Sequence, residues 1–173
     1  DYDPSNITLD SQINELNGYT LRSVFETSNL LANPNFNANI NGWLTAVGSS
    51  TWDDGQLLRY IGGTNFGYIY QLNKHTIGDT YYSRVKLQTL LNEPTQFDFG
   101  ISDDNPLTTI PLDNSGVWFS HSAKYIADES LWLIRSLQNT IVEYYIDNAL
   151  LINLTDLQID LTLDELDYYY FVY

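Results

Sequence analysis

Tyr81-Tyr82-Ser83-Arg84-Val85-Lys86-Leu87-Gln88 sets Val85 and Leu87 on one side of an extended chain and Arg84, Lys86 and Gln88 on the other. Side chains of a strand alternate between its two faces, so this period of two describes a strand with one buried and one polar face. The same period recurs on both sides of it. Candidate strands cover residues 42–46, 57–61, 68–72, 80–90, 95–101, 116–125, 130–136 and 142–154. Turn residues separate them, among them Asn41-Gly42, Asp53-Asp54-Gly55, Gly62-Gly63, Asn92-Glu93-Pro94, Asp103-Asp104-Asn105-Pro106 and Asp113-Asn114-Ser115-Gly116. Many short strands without helical patterning between them predict an all-β chain: a β-sandwich of two antiparallel sheets, in its jelly-roll version.

The flanks differ from this middle. Residues 1–28 read as a connector, with a short helix over 10–16 that Asp10 or Ser11 starts and Asn17-Gly18 stops. The alternating residues 19–25 suit an extra edge strand or a connector lying partly on the domain. Residues 29–156 form the sandwich and 157–173 a C-terminal helix leading into a further segment. In that helix Thr162-Leu163-Asp164-Glu165 fits a capping box. Leu163, Leu166, Tyr170 and Tyr173 then recur along one stripe, which needs this domain or a neighbouring copy to cover it.

The chain has 173 residues, enough to bury a core without staples, and it lacks cysteine, so disulfides, thiolate metal sites and a cysteine nucleophile are excluded. It also lacks methionine and begins at Asp1, which reads as part of a longer protein. No stretch has the ~18 apolar residues of a membrane-spanning helix. With 22 acidic and 7 basic residues the net charge is -15. That field opposes nucleic acid and anionic bilayers, and makes a neutral saccharide an easier ligand than a phosphate-rich polymer.

Asn29-Leu30-Leu31-Ala32-Asn33-Pro34-Asn35-Phe36 with Gly42-Trp43, then Gly67-Tyr68-Ile69-Tyr70-Gln71, Gly78-Asp79-Thr80-Tyr81, Gly116-Val117-Trp118 and Tyr145-Ile146-Asp147-Asn148, together resemble the strand openings of jelly-roll carbohydrate-binding modules. The ending, Asp160-Leu161-Thr162 followed by Leu163-Asp164-Glu165-Leu166-Asp167-Tyr168, resembles tail and baseplate adhesion proteins of phages that infect Gram-positive bacteria. The first resemblance implies that residues 29–36 open the first strand and that Trp43 and Trp118 are core residues. Members of that family often carry a structural calcium, held by acids after the first Phe and in the last strand. Asn37 stands at the first place and only Asp147 keeps a carboxylate, so a vestigial or absent calcium site is expected.

Sugar recognition needs flat aromatic faces for the apolar side of a pyranose, with amide, carboxylate or guanidinium groups for its hydroxyls. Trp52, beside the Asp53-Asp54-Gly55 turn, is the expected stacking residue, and Tyr60, Tyr70, Gln71 and Arg84 are expected to share a sheet face with it. Trp132 alternates with Leu131 and Leu133, and its direction stays open. His75 and His121 have no nucleophile-elbow or zinc-ligand spacing and read as surface or satisfied strand residues. Asp53-Asp54 and Asp103-Asp104 are turn dipeptides rather than a paired glycosidase acid and base.

The sequence thus predicts a non-catalytic adhesion domain of a phage tail or baseplate protein, extracellular on the virion and binding a host cell-surface saccharide. The alternatives are an assembly domain that contacts other virion subunits or copies of itself, and a binding module of a secreted glycoside hydrolase.

Overall fold

A computed structural model describes residues 21–46, 48–53, 57–61, 68–89, 95–100, 110–112, 118–136 and 143–172. In chain order the elements are α1 (Leu21–Thr27), β1 (Leu44–Thr45), β2 (Ser49–Asp53), β3 (Leu57–Ile61), β4 (Tyr68–Gln71), β5 (Thr80–Thr89), β6 (Thr95–Gly100), β7 (Ile110–Leu112), β8 (Phe119–Ile126), β9 (Trp132–Ser136), β10 (Glu143–Asn153) and α2 (Leu163–Val172). The expected short helix over 10–16 lies outside the described residues.

Among the described residues ten strands form two five-stranded sheets, all of whose pairs are antiparallel. One sheet, here A, runs β1-β4-β9-β6-β7, and the other, B, runs β2-β3-β10-β5-β8. The β-sandwich expected from alternation is present. The inward positions are Ile69 of β4, Val85 and Leu87 of β5, Phe97 and Phe99 of β6, Trp132 and Ile134 of β9, and Tyr144 and Ile146 of β10, all buried in one core. Trp132 is fully buried and donates its Nε1–H to Ser83 Oγ at 2.9 Å, which satisfies the one polar group it brings inside. Trp43 is a core residue as expected, with its ring 5.0 Å from Phe36 and 5.6 Å from Trp132.

Four expectations need correction. Residues 29–36 form no strand. They run irregularly beside β10, held by Leu30 N–H to Leu151 O and Ala149 N–H to Pro34 O, and by Asn29, whose Oδ1 accepts from the Leu31 and Leu151 amides. Asn33 and Phe36 take positive φ of 46° and 49°, which no continuous strand allows. Secondly, the alternating segment before Ser28 is the helix α1. Val24 and Phe25 are its described apolar side chains, and they bury against Tyr82, Leu150 and Ile152 on the outer face of sheet B.

Thirdly, Trp52 lies on a strand, β2, and not in a turn. β2 is an edge strand with most positions exposed, so it shows no apolar alternation to be read. Finally, Trp118 is half-buried rather than a core residue. Its ring lies 5.0 Å from Lys86 Nζ, on the outward side of β5.

The capping box forms as the sequence predicts. Thr162 N–H reaches Glu165 Oε2 at 2.8 Å, and Glu165 N–H reaches Thr162 Oγ1 at 3.3 Å. Two hydrogen bonds from Thr162 hold the Glu165 carboxyl below its usual range. The stripe of α2 covers this domain. Leu166 is buried with Tyr82 and Ile152, and Leu163 and Tyr170 pack at the margin of that cluster.

Candidate functional site: an aromatic and charged sheet face

On β4 the alternation sends Ile69 and Gln71 into the core and leaves Tyr68 and Tyr70 on the outer face of sheet A, both half-buried. Their rings are 5.5 Å apart and inclined by 52°. Register brings β9 alongside, with Arg135 opposite Tyr68 and Leu133 opposite Tyr70. β6 follows, with Asp98 opposite Arg135 and Gly100 opposite Leu133. The outer face therefore carries two phenols, a guanidinium and a carboxylate over a Leu floor, with no side chain at Gly100.

Arg135 Nη2 donates to Asp98 Oδ2 at 3.0 Å, with the two side chains 9% and 0% exposed. Pairing at this depth keeps either charge from standing alone away from water. It also fixes the guanidinium plane, which leaves its remaining N–H groups in set directions.

Only Tyr70 of the five expected site residues lies on this face. Gln71 points inward and is 1% exposed, with Nε2 donating to Ala32 O and Oε1 accepting from Ala32 N–H, both at 2.9 Å. It pins the 29–36 segment and is not a ligand-facing amide. Arg84 is on sheet B, 6% exposed, with its guanidinium 4.6 Å from the centre of the Tyr170 ring of α2. Residues 72–79 carry the chain from one sheet to the other, so Tyr70 and Arg84 end in different layers and do not share a face.

Trp52, on β2 of sheet B, is 40% exposed and donates Nε1–H to Phe36 O at 2.9 Å. It closes the edge of the sandwich beside Phe36. Tyr60 pairs with Ser50 and Tyr144 along β3, and its side chain lies outside the described residues.

Asp98, Arg135 and Tyr68 were missed by sequence reasoning. Their signal is the charge set between buried partners in Phe97-Asp98-Phe99 and Ile134-Arg135. A charged residue in a strand whose neighbours are wholly apolar needs a partner on the adjacent strand.

Asp147 sits where β10 bulges before Leu150. Its Oδ1 accepts from Asn148 N–H at 2.8 Å and its Oδ2 from Asn148 Nδ2 at 2.7 Å. Burial raises its carboxyl above the usual range, against the opposing pull of the Asn148 amide and Lys86. Both oxygens thus face N–H donors, and among the described residues no three His, Cys, Asp or Glu converge. That donor set does not fit calcium, which takes six to eight oxygens.

His75 is not at the surface. It is 8% exposed between Tyr81 and Tyr125, with Nε2 2.9 Å from the Tyr125 hydroxyl, and burial pushes its pKa down to about 4. His121 is a β8 residue whose imidazole is likewise held below its usual range, by burial first and then by the Arg84 charge.

No family model matches the sequence, and no curated protein matches it. Solved structures do share its fold. The C-terminal family 22 carbohydrate-binding module of Clostridium thermocellum Xyn10B superposes with a TM-score of 0.56 at 12% identity, over 69% of this chain and 91% of the module. A family 4 carbohydrate-binding module gives 0.53 at 15% identity, over 71% and 99%. The enzymatically active domain of tailspike protein 4 of bacteriophage CBA120 gives 0.51 at 11% identity, over 73% of this chain and 21% of the tailspike chain. The chain therefore has the β-sandwich fold that these carbohydrate-binding modules share.

Proposed function

We propose that this chain is a non-catalytic saccharide-binding domain of a phage tail or baseplate protein, and that the outer face of sheet A contacts a host cell-wall polysaccharide. The observation that carries this reading is the pair of half-buried rings, Tyr68 and Tyr70, side by side on one outer face of a sandwich. Phenol rings supply flat apolar surface for the carbon–hydrogen side of a pyranose and hydroxyls for its own, while the buried Asp98–Arg135 pair ties β6 to β9 beside them.

The fold likeness supports the saccharide part, since modules that superpose on the chain are named for binding carbohydrate. The phage part draws on the sequence of the C-terminal helix and on a tailspike of the same fold. The CBM22-1-GH10 modules of Clostridium thermocellum endo-1,4-β-D-xylanase 10B match the fold too, so the secreted-hydrolase alternative stays the second reading. Assembly through α2 is less favoured, because the buried stripe of that helix is already spent on its own sheet.

The test is retention of the chain on purified neutral wall polysaccharides of Gram-positive bacteria and on plant xylans, each with calcium and with chelator. Retention on a bacterial polysaccharide, unaffected by chelator and weakened by Tyr70→Ala, is the expected result. Retention on xylan alone would favour the enzyme module, and no retention on any polysaccharide would end the saccharide reading.

A further inference from the structure

The outer face of sheet B is divided. Tyr82, Arg84, Leu150 and Ile152 lie beneath α1 and α2. Where that cover stops, Lys86 and Gln88 of β5, Tyr145 and Asp147 of β10, and Trp118 at the start of β8 form a strip of partly exposed side chains. Register sets Tyr145 opposite Gln88 and Asp147 opposite Lys86. Trp118 leads into the Leu87–Phe119 pair, and its ring lies 5.0 Å from Lys86 Nζ. Tyr145 and Trp118 thus flank β5 from either side, about 10 Å apart at twice the interstrand spacing.

Three properties of the strip select its occupant. Among its described side chains none is aliphatic, whereas a protein partner's anchor residues seat in fully desolvated apolar pockets. Among its described side chains the charges of Lys86 and Asp147 offset each other, so on a chain of net charge -15 these groups give a polyanion nothing to counter that field. Two aromatic rings with an amide between them, and a carboxylate and an ammonium in the next row, match the apolar faces and hydroxyls of an uncharged glycan.

We infer that this strip is a second binding face for a neutral glycan chain, on the opposite side of the sandwich from Tyr68 and Tyr70. The inference rests on the saccharide reading above and adds to it a second, independent contact. Two faces on one domain let it bridge two chains of a polysaccharide mesh, where the second contact is made at high effective concentration.

The experiment compares four proteins on an array of neutral oligosaccharides that includes xylohexaose and cellohexaose: the parent, Tyr68→Ala with Tyr70→Ala, Trp118→Ala with Tyr145→Ala, and all four changes together. Each pair of changes is expected to weaken apparent affinity about tenfold, with the remaining face still binding, and the combination to abolish it. If Trp118→Ala with Tyr145→Ala melts with the parent and binds like it, the strip is not a site and the sheet A reading stands. If the parent binds nothing on the array, both fall. Should the strip pair fail to fold, Gln88→Ala is the substitute, with a several-fold loss supporting the strip and parent-like binding overturning it.

Discussion

On the outer face of sheet B, Tyr82, Arg84, Leu150 and Ile152 lie under two helices, whereas on the outer face of sheet A, Tyr68 and Tyr70 stay half-exposed beside the Asp98–Arg135 pair. Both faces come from strands whose inward positions are largely apolar, and both also carry aliphatic residues outward, Leu150 and Ile152 on sheet B and Leu133 on sheet A. Among the described residues, what separates them is a helical cover. Sheet B receives α1 and α2 from the two flanks of the chain, and Asp167 of α2 accepts from Tyr82 and Ser122 hydroxyls at 2.7 and 2.5 Å. Burial first, then this carboxylate, pushes the Tyr82 phenol far above its usual range, so it stays a donor to Asp167. An outward polar residue such as Arg84 is therefore no marker of a binding surface until the flanks are placed.

The largest expected effect breaks sheet A. Asp98→Ala leaves Arg135 as a buried charge without its carboxylate and should cost about 3–5 kcal/mol, read from urea unfolding. Asp98→Leu combined with Arg135→Met should restore most of that stability, which separates the cost of an unpaired buried charge from the worth of the pair itself.

Acid should weaken the interior that both faces share. The unfolded chain protonates His75 near its ordinary value of 6.5, while the folded chain resists until about 4. The unfolded state thus binds more protons in that window, and stability should fall by roughly 3 kcal/mol as the pH drops through it. Unfolding midpoints between pH 7 and 4 check this, and a His75→Gln variant should show a flatter profile.

On sheet B, Asp167→Ala removes the acceptor of two part-buried hydroxyls, at about 2 kcal/mol. Amide exchange should quicken in α2 while the strands keep their protection; equal loss throughout would contradict a helix docked onto an independent sandwich. Tyr70→Ala should weaken saccharide retention about tenfold, with little change in melting temperature. Trp52→Ala should have the smallest effect on binding, about twofold or less, because its indole N–H is committed to Phe36 O at the sandwich edge.

Alternation carried the sandwich a long way. Residues 57–61 and the cores of β4, β5, β6, β9 and β10 sit where period two puts them, and the capping box of α2 forms as its residues dictate. What alternation misses is edges and partners. β2 is exposed along most of its length and so has little buried face to reveal it, while β7 is three residues long with proline at its centre, too short for a period to show. The segment before Ser28 suits a helix as well as a strand, and only contact with Tyr82 and Ile152 decides.

The expected site residues do not come together on one face. Of the expected residues Tyr70 lies on the outer face of sheet A, whereas Gln71 turns inward and Arg84 and Trp52 belong to sheet B. Which sheet each strand joins depends on crossovers such as residues 72–79, and no local pattern encodes that.

The two helices also touch each other, one at either flank of the chain, while the strands lie beyond them. A pull applied across the flanking segments would thus reach α1 and α2 first and peel them from sheet B. The interstrand ladders would stay out of the load path until that layer had gone, so the helical layer serves as a mechanical fuse for the tyrosine face behind it.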